Sequence, residues 1–315
     1  MPHIKILVYH DRDAKKYERL LLKQLSGIQV FSCHDRNTVE ASGSEAEIAF
    51  VPYDFPQDLF SALPNLKWIQ IMAAGVEHFV QNAGQFKDVF VTRMIGVDAK
   101  YMAEYVLAYL LYFCQRIEKI VDAKREKKWE PFTPNYLHRK ACGIMGLGAI
   151  GSIIARKIKF TGMRLVSWDL EKKIAPFVDH QYLMGELNDF LEESDFVVVV
   201  LPATPKTLNL INGDVFKAMK NSAYLINISR GELIDEQALL AALKHGDIAG
   251  AVIDVAKQEP LAENNPLWQC PNLIITPHIS GIGLSEDMVA FFKKNFRRYI
   301  KKKPLLGVVD LKRGF

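Results

Sequence analysis

The chain has no apolar run long enough to cross a bilayer, so no part of it is expected to span a membrane. Cysteine is scarce: Cys33, Cys114, Cys142 and Cys270 are scattered without metal-type spacing. That spacing argues against a disulfide framework or a metal site, and all four are expected to be reduced, in a cytoplasmic protein. Excess charge is also lacking. The formal net charge of +4 does not point to a nucleic-acid partner. There is no internal repeat and no low-complexity segment. The opening MPHIKILVYHD lacks the long apolar core and small-residue cleavage site of a secretion signal, and fits a first strand. What is present is an ordinary globular composition, 49% hydrophobic and 24% charged, with 315 residues to build two cores.

The chain is organised around residues 141–169, ACGIMGLGAIGSIIARKIKFTGMRLVSWD. A buried strand is predicted at 141–145. Gly146, Gly148 and Gly151 follow as G-x-G-x-x-G, then Ile150, Ile153, Ile154 and Ile158 at helical spacing. Gly162 ends the helix, and a second strand at 164–168 closes on Asp169. Each residue type has a physical reason. Gly146 permits a tight turn, Gly148 lets a pyrophosphate approach the backbone, and Gly151 lets helix and strand pack closely. The helix start at Ala149 and Ile150 offers N–H groups and partial positive charge to phosphates. Asp169 stands where a carboxylate accepts the hydroxyls of an adenosine ribose.

Before this stretch, strands are predicted at 4–9, 48–51, 68–72 and 89–92, with a helix at 17–25. They form a small parallel α/β unit without a glycine fingerprint. The turn Ala73-Ala74-Gly75-Val76 has two readings, a backbone cradle for a carboxylate or an ordinary turn. A single long helix is predicted at 99–128, with Met102, Val106, Tyr109, Leu110 and Phe113 on one stripe and a solvated, charged second half. Trp129 opens a proline-broken loop. After Asp169 come helices at 187–193, 215–219 and 237–245, the last between Asp235 and Gly246 as caps. Strands are predicted at 196–201, 224–228, 249–254 and 273–276, and FVVVV is apolar enough for a sheet covered on both faces. A last helix at 286–303 carries Phe291, Phe292, Phe296, Tyr299 and Ile300 on its apolar side. Its many lysines and arginines fit a packed surface helix better than a nucleic-acid or membrane contact. It is expected to cross back and complete the first domain.

Arg230, Glu259 and His278 each follow a predicted strand of the nucleotide sheet, where loops line the ligand crevice of an open α/β fold. Together their types suit reduction of a 2-keto acid. An imidazolium supplies a proton, a neighbouring carboxylate favours and orients it, and a guanidinium holds the substrate carboxylate. Taken singly, each is also an ordinary surface cation, turn acid or loop histidine.

The motifs GIMGLGAIG (143–151), LINISRGEL (225–233), GAVIDVAKQEP (250–260) and TPHIS (276–280) make the chain resemble a D-isomer-specific 2-hydroxyacid dehydrogenase, nearly end to end. The resemblance implies an α/β fold of two Rossmann-like/flavodoxin-like doubly wound parallel-sheet domains with a cleft between them. It implies a substrate-binding domain at 1–97 plus 285–315 and a dinucleotide-binding domain at 98–284. It makes Arg230, Glu259 and His278 the catalytic set and puts Asp254 on the nicotinamide amide. Leu201, Pro202, Thr207, Ile228 and Ser229 join the cofactor contacts, with Arg230 and His278. Ala74, Gly75 and Val76 would bind the substrate carboxylate through backbone amides. A homodimer through the long helix is also implied.

Within that family, residues 102–111 before Trp129-Glu130-Pro131, Pro266-Leu267-Trp268, and LGVVDLKRGF (306–315) resemble the glyoxylate/hydroxypyruvate reductase A type. Those enzymes typically carry an Arg/Ser-rich turn after the second strand and use NADP. Here the turn is Trp168-Asp169-Leu170-Glu171, whose carboxylate repels a 2′-phosphate. NAD(H) is therefore favoured, with Lys172 and Lys173 leaving NADP(H) open. Alternatives are another dehydrogenase of the family, of D-lactate, phenylpyruvate, phosphoglycerate, formate or phosphite type, or an NADH-sensing, corepressor-like binding protein. The ending without an extra regulatory domain argues against the long phosphoglycerate form. Trp129 is expected either to reach a neighbouring subunit's substrate pocket or to cover its own domain.

Overall fold

The structure, a computed structural model, describes residues 4–86 and 88–311. Residues 1–3, 87 and 312–315 lie outside that description, and with them the last part of the LGVVDLKRGF stretch and the ends of the first expected domain. The first elements are β1 (Ile4–Tyr9), α1 (Ala14–Gln24), β2 (Ile28–Cys33), α2 (Arg36–Ser42), β3 (Ile48–Val51), β4 (Trp68–Ile71), α3 (Glu77–Val80) and β5 (Phe90–Thr92). Next come α4 (Ala99–Gln115), α5 (Ile117–Arg125), β6 (Ala141–Met145), α6 (Ala149–Lys159), β7 (Arg164–Asp169), β8 (His180–Leu183) and α7 (Leu187–Glu193). The chain continues through β9 (Phe196–Val199), α8 (Gly213–Ala218), β10 (Tyr224–Asn227), α9 (Glu236–His245), β11 (Gly250–Ile253), β12 (Leu273–Ile275) and α10 (Ser285–Ile300). It divides into two compact units, Met1–Asp98 with Gly283–Phe315, and Ala99–Ile282.

The first unit is a five-stranded parallel sheet of order β2-β1-β3-β4-β5, the flavodoxin-like winding. Alternate side chains of one strand feed opposite layers, as a pleated sheet requires. Leu7 joins Val39, Phe60 and Phe79 on one face, while Ile6 and Val8 join Leu21, Val289 and Phe292 on the other. Helix α10 therefore belongs to this core, and the buried Trp68 ring stacks on Phe292 and Tyr299 at 5.1 and 5.3 Å. The basic side of α10 faces away from that apolar layer.

The second unit is a seven-stranded parallel sheet of order β12-β11-β10-β9-β6-β7-β8. Chain order reverses between β6 and β9, the switch point at which such sheets bind ligands. Phe196 and Val198 pack toward α4 and α6, Val197 and Val199 toward α7, α8 and α9. That double cover explains the unbroken FVVV run.

Several features differ from the sequence expectation. The long helix at 99–128 is two helices, because Arg116 adopts left-handed φ 53° and ends α4, while the Cys114 carbonyl accepts from the Asn135 amide at 2.9 Å. Strand β2 and helix α2 were not foreseen. Helix α2 is polar and begins on a local signal, Asp35 and Thr38 exchanging side-chain bonds to each other's amides. Edge strand β8 lacks an apolar run because none of its residues is fully buried. The four cysteines are buried and unbonded to one another.

Candidate active site

The glycine turn sits at the C-terminal end of β6. Gly146 has φ +103°, which only glycine adopts without strain. A Cβ on Gly151 would overlap the carbonyl oxygen of Gly146, so a side chain there would push α6 off the turn. Gly148 is the contrast: a Cβ on it meets nothing within 4 Å, and it caps α6 with no side-chain bond to the first amides. An open glycine and an uncapped helix start form a cradle that fits a pyrophosphate. Asp169 ends β7 beside this turn, its Oδ2 accepting from the Leu147 amide at 2.9 Å.

Three neighbouring parallel strands, β10, β11 and β12, carry the candidate chemistry on the loops that follow them. After β10, the fully buried Asn227 shapes the Ser229-Arg230 turn. Its Oδ1 accepts from the Ser229 amide at 3.1 Å and its Nδ2 donates to the Arg230 carbonyl at 2.9 Å. Arg230 Nη1 also donates to the Ser229 carbonyl at 2.7 Å. Gly231 then passes so close to the next loop that a Cβ would overlap the Ala256 carbonyl group. Asn227 and Gly231 were not singled out from sequence. The signal was there, a lone amide closing an apolar strand and a glycine directly after the arginine.

After β11, Glu259 Oε1 accepts from the Ala256 amide at 3.1 Å and Oε2 lies 2.8 Å from His278 Nδ1. Both side chains remain partly open to solvent. Asp254, at 1% exposure, is almost sealed. Its Oδ1 accepts from Thr276 Oγ1 and the Ile279 amide, and its Oδ2 from the Ser280 amide. Most of its acceptor capacity thus goes to the histidine loop.

The other candidates divide by environment. Leu201 and Ile228 are buried under the sheet edge, and Ser229 Oγ donates to the Leu201 carbonyl. Thr207 is buried, its hydroxyl donating to the Pro202 carbonyl at 2.6 Å and accepting from the Thr204 amide at 2.8 Å, so it closes its own loop. In the first unit, Val76 N–H donates to the side chain of the next residue, Glu77 Oε2, at 2.9 Å. Arg93 Nη1 donates to the Ala74 carbonyl at 3.1 Å and steadies the turn. Trp129 is 96% exposed. No helix among the described residues is long and apolar enough to cross a membrane.

This arrangement invites comparison with known proteins. The family described as D-isomer specific 2-hydroxyacid dehydrogenase, NAD binding domain, matches residues 107–280. A glyoxylate/hydroxypyruvate reductase A of Escherichia fergusonii is 34% identical over 214 residues, 68% of this chain and 69% of that protein. A D-isomer specific 2-hydroxyacid dehydrogenase family protein of Aeromonas salmonicida superposes with TM-score 0.92 at 31% identity, covering 99% of this chain and 100% of the other. The NADPH-dependent glyoxylate/hydroxypyruvate reductase of Sinorhizobium meliloti, solved with NADP and sulfate, superposes with TM-score 0.89 at 27% identity, covering 99% and 100%. The chain belongs to the D-isomer specific 2-hydroxyacid dehydrogenase family and is an NAD(P)-dependent oxidoreductase of small 2-hydroxy and 2-keto acids.

Proposed function

We propose that the chain reduces small 2-keto acids, glyoxylate to glycolate and hydroxypyruvate to D-glycerate, with His278 as proton donor. The observation that carries this reading is the 2.8 Å pair of His278 Nδ1 and Glu259 Oε2 on neighbouring loops of the nucleotide sheet. Glu259 occupies Nδ1, so Nε2 is the atom that holds the proton for the keto oxygen. Arg230 binds the substrate carboxylate and polarises the carbonyl. In the first unit, Ala74, Gly75 and Val76 are our candidates for binding a substrate carboxylate through backbone amides, with Glu77 giving up the Val76 N–H. On this reading, residues 1–97 with 285–315 form the substrate-binding domain and 98–284 the nucleotide-binding domain.

Gly146, Gly148, Ala149, Ile150 and Gly151 would hold the pyrophosphate, and Asp169 the adenosine ribose. Leu201, Pro202, Ile228, Ser229 and Asp254 would line the rest of the dinucleotide. The bound nicotinamide supplies the hydride. Asp169 favours NAD(H), since a carboxylate repels a 2′-phosphate. NADP(H) is the competing reading, favoured by the NADP in the Sinorhizobium meliloti structure. We place the enzyme in the cytoplasm as a homodimer, in keeping with its unbonded cysteines and the exposed Trp129 on the segment after α5.

The test is absorbance loss of NADH and, separately, NADPH, with glyoxylate and hydroxypyruvate. Turnover with either acid supports the reading. Turnover only with pyruvate, phenylpyruvate or a phosphorylated acid moves the enzyme elsewhere in the family. Nucleotide binding without turnover of any acid points to a sensor.

A further inference from the structure

We propose that Tyr105 and Thr276 are positioning residues for His278, acting through the carboxylate of Asp254. The proposal rests on His278 being the proton donor. His278 has φ +54°, a left-handed conformation that strains a side-chain-bearing residue. The surrounding loop has to hold it there. The His278 amide donates to the Asp254 carbonyl at 2.8 Å, and the Ile279 and Ser280 amides each reach the Asp254 carboxylate at 2.8 Å. One sealed aspartate thus ties down the backbone on both sides of the imidazole.

That carboxylate is itself held from behind. Thr276 Oγ1 donates to Asp254 Oδ1 at 2.5 Å. A threonine hydroxyl has one proton, and this one is spent on the carboxylate. Tyr105 OH, 2.6 Å from Thr276 Oγ1, must then be the donor in the second bond. Burial, with the nearby charge of Asp254, pushes the Tyr105 phenol up, so it keeps the proton it donates. The chain runs from Tyr105 on α4, through Thr276 beyond β12, to Asp254 beyond β11, and ends on the Ile279 and Ser280 amides just after the histidine. Helix α4 packs on the sheet through Met102, Val106 and Leu110, which gives the first donor a rigid base.

The experiment compares Thr276→Val, Thr276→Ser and Tyr105→Phe with the parent enzyme. Val keeps the shape of Thr, and Phe keeps the ring, so each removes one hydroxyl. Because a misplacement of about 1 Å costs on the order of a hundredfold in rate, Thr276→Val is expected to lose about tenfold or more in kcat, and Tyr105→Phe a few-fold. The KM for the keto acid should stay within about twofold, and Thr276→Ser should restore kcat. In a His278→Gln background, Tyr105→Phe should have no further effect on kcat. Hydrogen exchange should quicken at the Ile279 and Ser280 amides in the Val and Phe variants, with the sheet strands unchanged. Unchanged exchange at those amides, or a Ser variant as slow as Val, would overturn the proposal. Should the parent enzyme reduce no 2-keto acid, the functional reading fails. The exchange measurement would then still decide whether the hydroxyl chain holds the loop.

Discussion

His278 Nδ1 and Glu259 Oε2 stand 2.8 Å apart, and the other oxygen of Glu259 is held by the Ala256 amide at 3.1 Å. The carboxylate is thus tethered at one end and directs the imidazole with the other. His278→Gln is expected to lower kcat by about a thousandfold while NADH binding, followed by fluorescence, stays within a few-fold. Glu259→Gln keeps an acceptor but loses the charge, and is expected to cost roughly tenfold to a hundredfold in kcat. Equal losses of turnover and NADH affinity in His278→Gln would remove its role as proton donor.

Gly151 and Gly148 separate packing from binding. Gly151→Ala drives a Cβ into the Gly146 carbonyl and is expected to destabilise the fold by about 1–3 kcal/mol, seen as a lower Tm, with loss of NADH binding. Gly148→Ala meets open space, so its Tm should match the parent while cofactor affinity falls. A Gly148→Ala protein that binds both NADH and NADPH as the parent does would mean the pyrophosphate sits elsewhere.

Asp98 is buried, and its Oδ1 has no hydrogen-bond partner among the described residues. Burial pushes its carboxyl up from 3.8 to about 6. The folded state therefore binds that proton more tightly than the unfolded chain. The stability this brings is full below about pH 4 and is lost as pH rises through about 6. Asp98→Asn abolishes the titration, so its unfolding free energy should exceed the parent's by about 1–3 kcal/mol at pH 8 and converge with it near pH 4. Urea unfolding at both pH values checks this.

Asp169 reaches the Leu147 amide beside the glycine turn, where an adenosine ribose would lie. Asp169→Ser removes the negative charge and is expected to raise the NADPH to NADH ratio of kcat/KM by about tenfold or more. A parent enzyme that already prefers NADPH, with a ratio unmoved by Asp169→Ser, would assign the choice to Lys172 and Lys173 instead.

Much of this was legible in one dimension because the signals are local. The glycine spacing, the Asp235 and Gly246 caps of α9 and the unbroken FVVV strand each reflect backbone geometry or two-sided cover within a few residues. Helix α2 and strand β8 were hidden for the converse reason. One is polar with a short capping signal, the other an edge strand without a buried face. The break at Arg116 was hidden as well, because its flanking residues have ordinary helix propensity and no glycine or proline marks the place.

Sequence alone determined the repeating strand and helix pattern, the glycine turn after β6 and the identities of the three polar groups beyond β10, β11 and β12. Folding decided their company: the bond from Glu259 to His278, the sealed Asp254 behind the histidine loop, and the donor path from Tyr105. Those partners are distant along the chain, and hydrogen-bond direction and burial exist only once parallel strands bring their loops to one edge of the sheet.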